Sequence, residues 1–207
     1  MTNTEFSIED YINKQLKEHI DPLEKRLGLS SRFIGKLLAD RGGDWSFIIK
    51  LSALIEVAVA HYLSSKLNRS ELQDTFLRLD LASKYTGQIA FLKALGLLDE
   101  HRSYICAIAQ IRNNYAHDIS NVMLKFEEYF EKDVSKESFK ELRAAFRKIL
   151  PTSTKDSAEE TIRKAPRLVI WILGMKLLIE IYRGVVPMRM GLLEYSRLKK
   201  ETDAKPT

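Results

Sequence analysis

Apolar residues in this chain recur three and four positions apart, and no stretch alternates apolar with polar residues for long enough to make a strand. That spacing belongs to helices with a buried face, so the pattern predicts an all-α fold. Ser7 with Asp10 three residues on marks a helix start, continued by a stripe of Tyr11, Leu16, Ile20 and Leu23, with Pro22 placed to kink or end it. A short helix is expected from Ser30 or Ser31 to Ala39. Arg41-Gly42-Gly43-Asp44 then breaks the pattern, with Asp44 positioned to cap the next helix. From Trp45 to Leu67 the apolar positions Phe47, Ile48, Leu51, Leu54, Ile55, Ala58, Val59, Tyr62 and Leu63 form a face so wide that this helix must be central. Glu56 and His61 interrupt it. A carboxylate at that depth needs either a partner or a solvated edge, because burying an unpaired charge is costly.

Asn68-Arg69-Ser70 reads as a break and a cap, after which helix is expected from Glu71 to Leu95 with an interruption near Gly87, and Gly96 fits its C-terminal end. Asp99 is placed to cap a helix carrying Tyr104, Ile105, Ile108 and Ile111, and residues 118–121 form the expected turn. Val122 to Phe130 and Lys136 to Ile149 are amphipathic. Residues 151–157 read as a polar linker, Pro166 to Arg183 as a strongly apolar helix, and the segment after Pro187 as a polar tail. The expected organisation is an N-terminal helical segment (1–43), a helical core (44–150), and a linker, apolar helix and basic end packed on that core (151–207).

With 207 residues, 45% apolar and 29% charged, and only nine Gly and five Pro, the composition suits long uninterrupted elements around one sizeable core. The single cysteine, Cys106, excludes an intramolecular disulfide and suits a reducing, cytoplasmic compartment. The first residues carry no basic stretch followed by an apolar one, so no signal peptide is expected. The longest apolar run, Leu168 to Met175, falls short of the roughly 20 residues of a membrane span, so no membrane association is expected. The net charge of +5 is uneven: between Arg163 and Lys200 nine basic residues face only Glu180 and Glu194. Such a segment, beginning with Arg163, Lys164 and Arg167, suits a polyanion such as RNA; ordinary solvated helix faces explain the same charges.

Several chemistries lack their residues. No Gly-rich phosphate loop and no Cys/His pairing for zinc is present, the four histidines are well separated, and no serine sits in a Gly-x-Ser-x-Gly elbow, so neither metal nor cofactor is expected. Polar chemistry is instead concentrated where the helix through Ile111 should end, in Arg112-Asn113-Asn114-Tyr115-Ala116-His117-Asp118. A guanidinium holds a phosphate and stabilises its developing charge, and an imidazole moves protons near neutral pH, a pair suited to metal-free phosphodiester cleavage by an RNA 2′-hydroxyl. On one helix Asn113 and His117 share a face, whereas Arg112 and His117 diverge by roughly 140° and converge only if the helix frays or the arginine reaches round. A polar helix end accounts for the same residues, with His117 complementing the helix dipole and Arg112 paired with Glu56 or Asp118.

Arg112-Asn113 followed by His117 at a helix end resembles the Arg-x(4–6)-His signature of the HEPN superfamily, all-helical domains that include metal-independent endoribonucleases. Residues 85–98 (Tyr-Thr-Gly-Gln-Ile-Ala-Phe-Leu-Lys-Ala-Leu-Gly-Leu-Leu) followed by residues 108–117 (Ile-Ala-Gln-Ile-Arg-Asn-Asn-Tyr-Ala-His) are similar to its mannitol-operon-repressor branch. The likeness spans about residues 44–121, and the chain beyond Asn121 departs from that pattern. It implies an antiparallel helical bundle with additional C-terminal helices, Arg112 and His117 as catalytic, and Asn113 assisting; Glu56, Asn114, Tyr115 and Asp118 are the neighbours expected to support them. It also implies a homodimer with two motifs facing one cleft, a nuclease of toxin or phage-defence type acting on RNA, and an antitoxin or regulatory protein as partner. The mannitol-repressor branch implies the alternative, a non-catalytic transcriptional regulator or protein-interaction module.

Overall fold

The computed structural model of the chain describes residues 16–96, 99–132, 136–149 and 155–203, and among these there is helix and no strand. The helices are α1 (Asp21–Arg26), α2 (Phe33–Leu38), α3 (Gly43–Lys66), α4 (Gln73–Leu77), α5 (Gln88–Ala94), α6 (Asp99–His117), α7 (Phe126–Glu131), α8 (Lys136–Ile149), α9 (Lys155–Lys164) and α10 (Pro166–Asp203). Four long helices close a ring: α3 packs on α6, α6 on α8, α8 on α10, and α10 back on α3. The start expected near Ser7 lies outside the described residues, as do the side chain of Asp99 and the 151–154 part of the linker.

Helix α3 is central, as its wide apolar face requires: Phe47, Ile48, Leu51, Leu54, Ile55, Ala58, Val59, Ala60 and Leu63 are buried. By length and a mean hydropathy of 1.6 it would also cross a membrane, but 61% of that window is buried against the rest of the fold. Helix α10 runs parallel to it in a steady register. Asp44 meets Arg167, Leu51 lies against Gly174, and Tyr62 lies against Gly184. At Gly174 a third helix meets them: Tyr104 of α6 donates its hydroxyl to the Ile170 carbonyl at 2.7 Å, and a Cβ on Gly174 would stand 2.7 Å from that hydroxyl oxygen. The buried Trp171 donates its indole N–H to the Ile34 carbonyl at 2.8 Å, tying α10 to α2.

Pro22, placed to kink or end the helix through Leu16 and Ile20, stands in the first turn of α1 directly after the π-helical turn Leu16–Ile20, so the helical run does change type there. Four expectations need correction. Asp44 does not cap α3. Its carboxylate accepts the N–H of Phe126, the first residue of α7, at 2.7 Å and pairs with Arg167 at 3.4 Å. The helix expected over 71–95 is interrupted at Gly87 as expected, but the break extends over residues 78–87 and leaves two short helices, because Asp80 accepts the N–H groups of Ala82 and Ser83 at 2.8 and 2.6 Å and so supports a loop in place of a helical turn. Gly87 lets that loop close, its Cβ position lying 2.2 Å from the Asp80 carbonyl oxygen. The polar stretch read as linker through Ser157 is already helical from Lys155, anchored by the fully buried Ala158 and Ile162, four apart on one face. Helix α10 runs past Arg183 and through Pro187 to Asp203. The expected stop at Gly96 does hold, with φ +80°, in the left-handed region that glycine enters freely.

Candidate functional site

The end of α6 is built by side chains that point in two directions. Inward, the buried Tyr115 donates its hydroxyl to the Leu124 carbonyl at 3.1 Å and packs edge-on against Phe126. Asn114 donates to the Tyr129 hydroxyl at 2.7 Å, and its own carbonyl accepts from the side chain of Asn121 at 3.0 Å. These bonds pin the 3₁₀ turn Ile119–Asn121 and α7 against the end of α6. Asp118 caps that turn through Ser120 N–H at 2.9 Å, and the hydrogen bonds from Ser120 hold its carboxyl below the usual range. Asn114, Tyr115 and Asp118 therefore brace the segment.

Outward lie Arg112, Asn113 and His117. Arg112 is half-buried and donates to the Asn113 carboxamide oxygen at 3.0 Å, which uses one of the guanidinium's five N–H donors. Glu56 stands nearby on α3, half-buried and accepting from Ser52 at 3.4 Å. Burial pushes its carboxyl above the usual range and Asp80 adds repulsion, while Arg112 and Ser52 pull it back down. His117 is exposed, and no hydrogen bond or ion pair to it is present among the described residues. Because α6 stays helical through His117, the fraying that would bring Arg112 and His117 together is absent. The two side chains leave the helix roughly 140° apart, but the guanidinium of Arg112 reaches round to the carboxamide of Asn113, which stands four residues before His117 on the same face.

The three basic residues expected to contact RNA all have acidic neighbours. Arg163 pairs with Glu159 at 3.1 Å and covers the Phe139 ring, and Lys164 pairs with Glu160 at 2.6 Å, both on an exposed surface. Arg167 lies inside the fold: besides Asp44 it donates to the Leu37 and Asp40 carbonyls at 3.3 and 2.8 Å and sits over the Phe47 ring. Its guanidinium is committed to holding α10 on α2 and α3. No group of three or more metal-ligating side chains is gathered among the described residues. Two residues beside His117 went unnoticed in the sequence, Ile119 at 88% and Met123 at 90% exposure. Their only signal was an apolar side chain on each flank of a short polar turn.

No family model, curated protein or solved structure matches this chain.

Proposed function

We propose that the chain is a metal-independent endoribonuclease of the HEPN type, acting as a homodimer in a toxin or phage-defence role. The observation that carries this reading is the division of labour at the end of α6. Asn114, Tyr115 and Asp118 are spent on bracing, while Arg112, steadied by Asn113, and the exposed His117 are not. In the reaction, Arg112 binds the scissile phosphate and stabilises its added negative charge. His117 takes the proton of the attacking 2′-hydroxyl or returns one to the departing 5′-oxygen. The P–O5′ bond breaks as the P–O2′ bond forms, leaving a 2′,3′-cyclic phosphate and a 5′-hydroxyl. The 140° divergence makes a second copy the natural supplier of the missing half. Ile119 and Met123 provide apolar surface beside His117 for that contact. On this reading the four-helix ring is a HEPN-like bundle with α10 as a fourth wall, and an antitoxin protein restrains the enzyme.

The test is cleavage of single-stranded RNA in EDTA by the wild type and His117→Ala. The wild type should release cyclic-phosphate ends, and the variant should be slower by at least about 100-fold, the scale of a lost general acid–base. Equal rates, or no cleavage by either, would refute it.

One observation favours a second reading. Glu56 lies close enough to Arg112 to act on it electrostatically, as in a structural ion pair. The chain is then a non-catalytic regulator or interaction module resembling the mannitol-repressor branch. His117→Ala would leave RNA untouched, and the chain would act through a regulatory protein partner.

A further inference from the structure

A helix that ends leaves its last four carbonyls without partners inside the helix, and His117 is the last residue of α6. Asp118 is already extended, with φ −123° and ψ 107°, so the backbone beyond His117 offers the final turn no helical continuation. That turn matters because Asn113 and His117 share a face only while the residues between them stay helical. His117 is exposed and inherits its place from the turn instead of from packing of its own. The chain that follows supplies what the helix lacks. Asn121, 7% exposed, donates its side-chain N–H to the Asn114 carbonyl at 3.0 Å and satisfies the first of the four. The Asn114 side chain in turn donates to the Tyr129 hydroxyl at 2.7 Å, and that hydroxyl meets the buried Ser138 hydroxyl of α8 at 3.2 Å.

We propose that Tyr129 is a positioning residue for His117, acting through Asn114 to keep the last turn of α6 wound and the imidazole on the face of Asn113. The proposal rests on the nuclease reading for what His117 does, and on the geometry alone for where His117 stands. Tyr129 is fully buried, with its ring 5.3 Å from that of Tyr115. Phe126, three residues before it on α7, gives its N–H to Asp44 at 2.7 Å, and Asp44 pairs with Arg167 of α10. The hydroxyl is thus held from α3, α8 and α10, and the end of α6 is the part it steadies. A phenyl ring would fill the same space, so packing does not call for the oxygen; its use is the bond to Asn114 and the contact with Ser138. Arg112 lies a turn earlier on α6, so phosphate binding does not depend on this brace. Proton transfer by His117 does, because a reacting group misplaced by about 1 Å costs up to about 100-fold in rate. That holds whichever copy supplies the arginine.

Tyr129→Phe removes the hydroxyl and keeps the ring. Tyr104→Phe is the comparison: it removes another buried hydroxyl bond of 2.7 Å from the same region of core, thirteen residues and about 20 Å along α6 from His117. In the full-length chain, Tyr129→Phe should speed amide hydrogen exchange at Ala116 and His117 about fivefold, the scale of one hydrogen bond, and Tyr104→Phe should leave those amides unchanged. In RNA cleavage in EDTA, Tyr129→Phe should lower kcat at least about tenfold at unchanged KM. Asn114→Ala should do the same, and the double variant should be no slower than either single one, because the hydroxyl acts through that amide. Unchanged exchange in Tyr129→Phe, or an equal change in Tyr104→Phe, would overturn the proposal. So would a loss that falls on KM, or one that adds to that of Asn114→Ala. A wild type that leaves RNA intact would refute the nuclease reading, and the exchange comparison would still decide whether Tyr129 holds His117.

Discussion

Glu56 sits half-buried on the central helix against the preference of its own charge, with Arg112 and Ser52 only partly compensating. A carboxyl whose folded pKa is raised contributes stability below its unfolded pKa and loses it as pH rises through the folded value. Glu56→Gln should therefore match the wild type near pH 3 and gain thermal stability relative to it toward pH 8. If Arg112 serves catalysis, the same variant should retain its fold and cleave RNA more slowly; thermal melts and rates across pH check both. The sequence left a partner or a solvated edge open for Glu56, because a lone Glu in an apolar helix does not reveal what stands opposite it; the fold leaves it half-buried, within electrostatic reach of Arg112 but with no ion pair to it. Arg112, Asn113 and His117 were legible as a cluster of chemistry. The inward turn of Asn114 and Tyr115 was not, since it depends on Tyr129 and Leu124, which only the fold brings near. Arg167 shows the reverse error. Read as a surface cation, it reaches Asp44, over 120 residues away, and fills an interior position.

At the scale of elements, the long helices were legible because their periodicity is strong: Trp45 to Leu67 and Lys136 to Ile149 fall within a residue or two of α3 and α8. Short ones were lost where side chains compete with the helix, as Asp80 does, or where two buried residues suffice to dock a polar segment, as in α9. Pairing was beyond periodicity altogether. Nothing in the apolar pattern says that α10 runs parallel to α3, or that Gly174 marks where the Tyr104 hydroxyl crosses it. Gly174→Ala should destabilise the protein by about 1–3 kcal/mol through overpacking. Tyr104→Phe should cost about 1 kcal/mol for its hydrogen bond. Combined, they should cost less than the sum, because removing the hydroxyl removes the clash; urea unfolding of all four proteins closes this cycle. Additive effects would place the crowding elsewhere than at that oxygen.

The whole molecule is a ring of four long helices whose hydrophobic cluster runs from Ile20 to Ile181, so the N-terminal segment and the last helix share one core with the helices between them. That core explains why the end of α6 is firm. An unbroken helix to His117 starts Arg112 and His117 about 140° apart, and the apolar Ile119 and Met123 stand exposed in the residues that follow. The central claim is that the Arg–His pair is completed across a symmetric dimer. Its most direct test mixes Arg112→Ala and His117→Ala chains, after unfolding and refolding together, and measures cleavage of single-stranded RNA in EDTA. Each variant alone should be inactive, and the mixture should regain about a quarter of wild-type activity, since half of the dimers are mixed and each holds one intact site. A mixture as inactive as its parents, beside an active wild type, would place the pair within one chain; an inactive wild type would contradict the account.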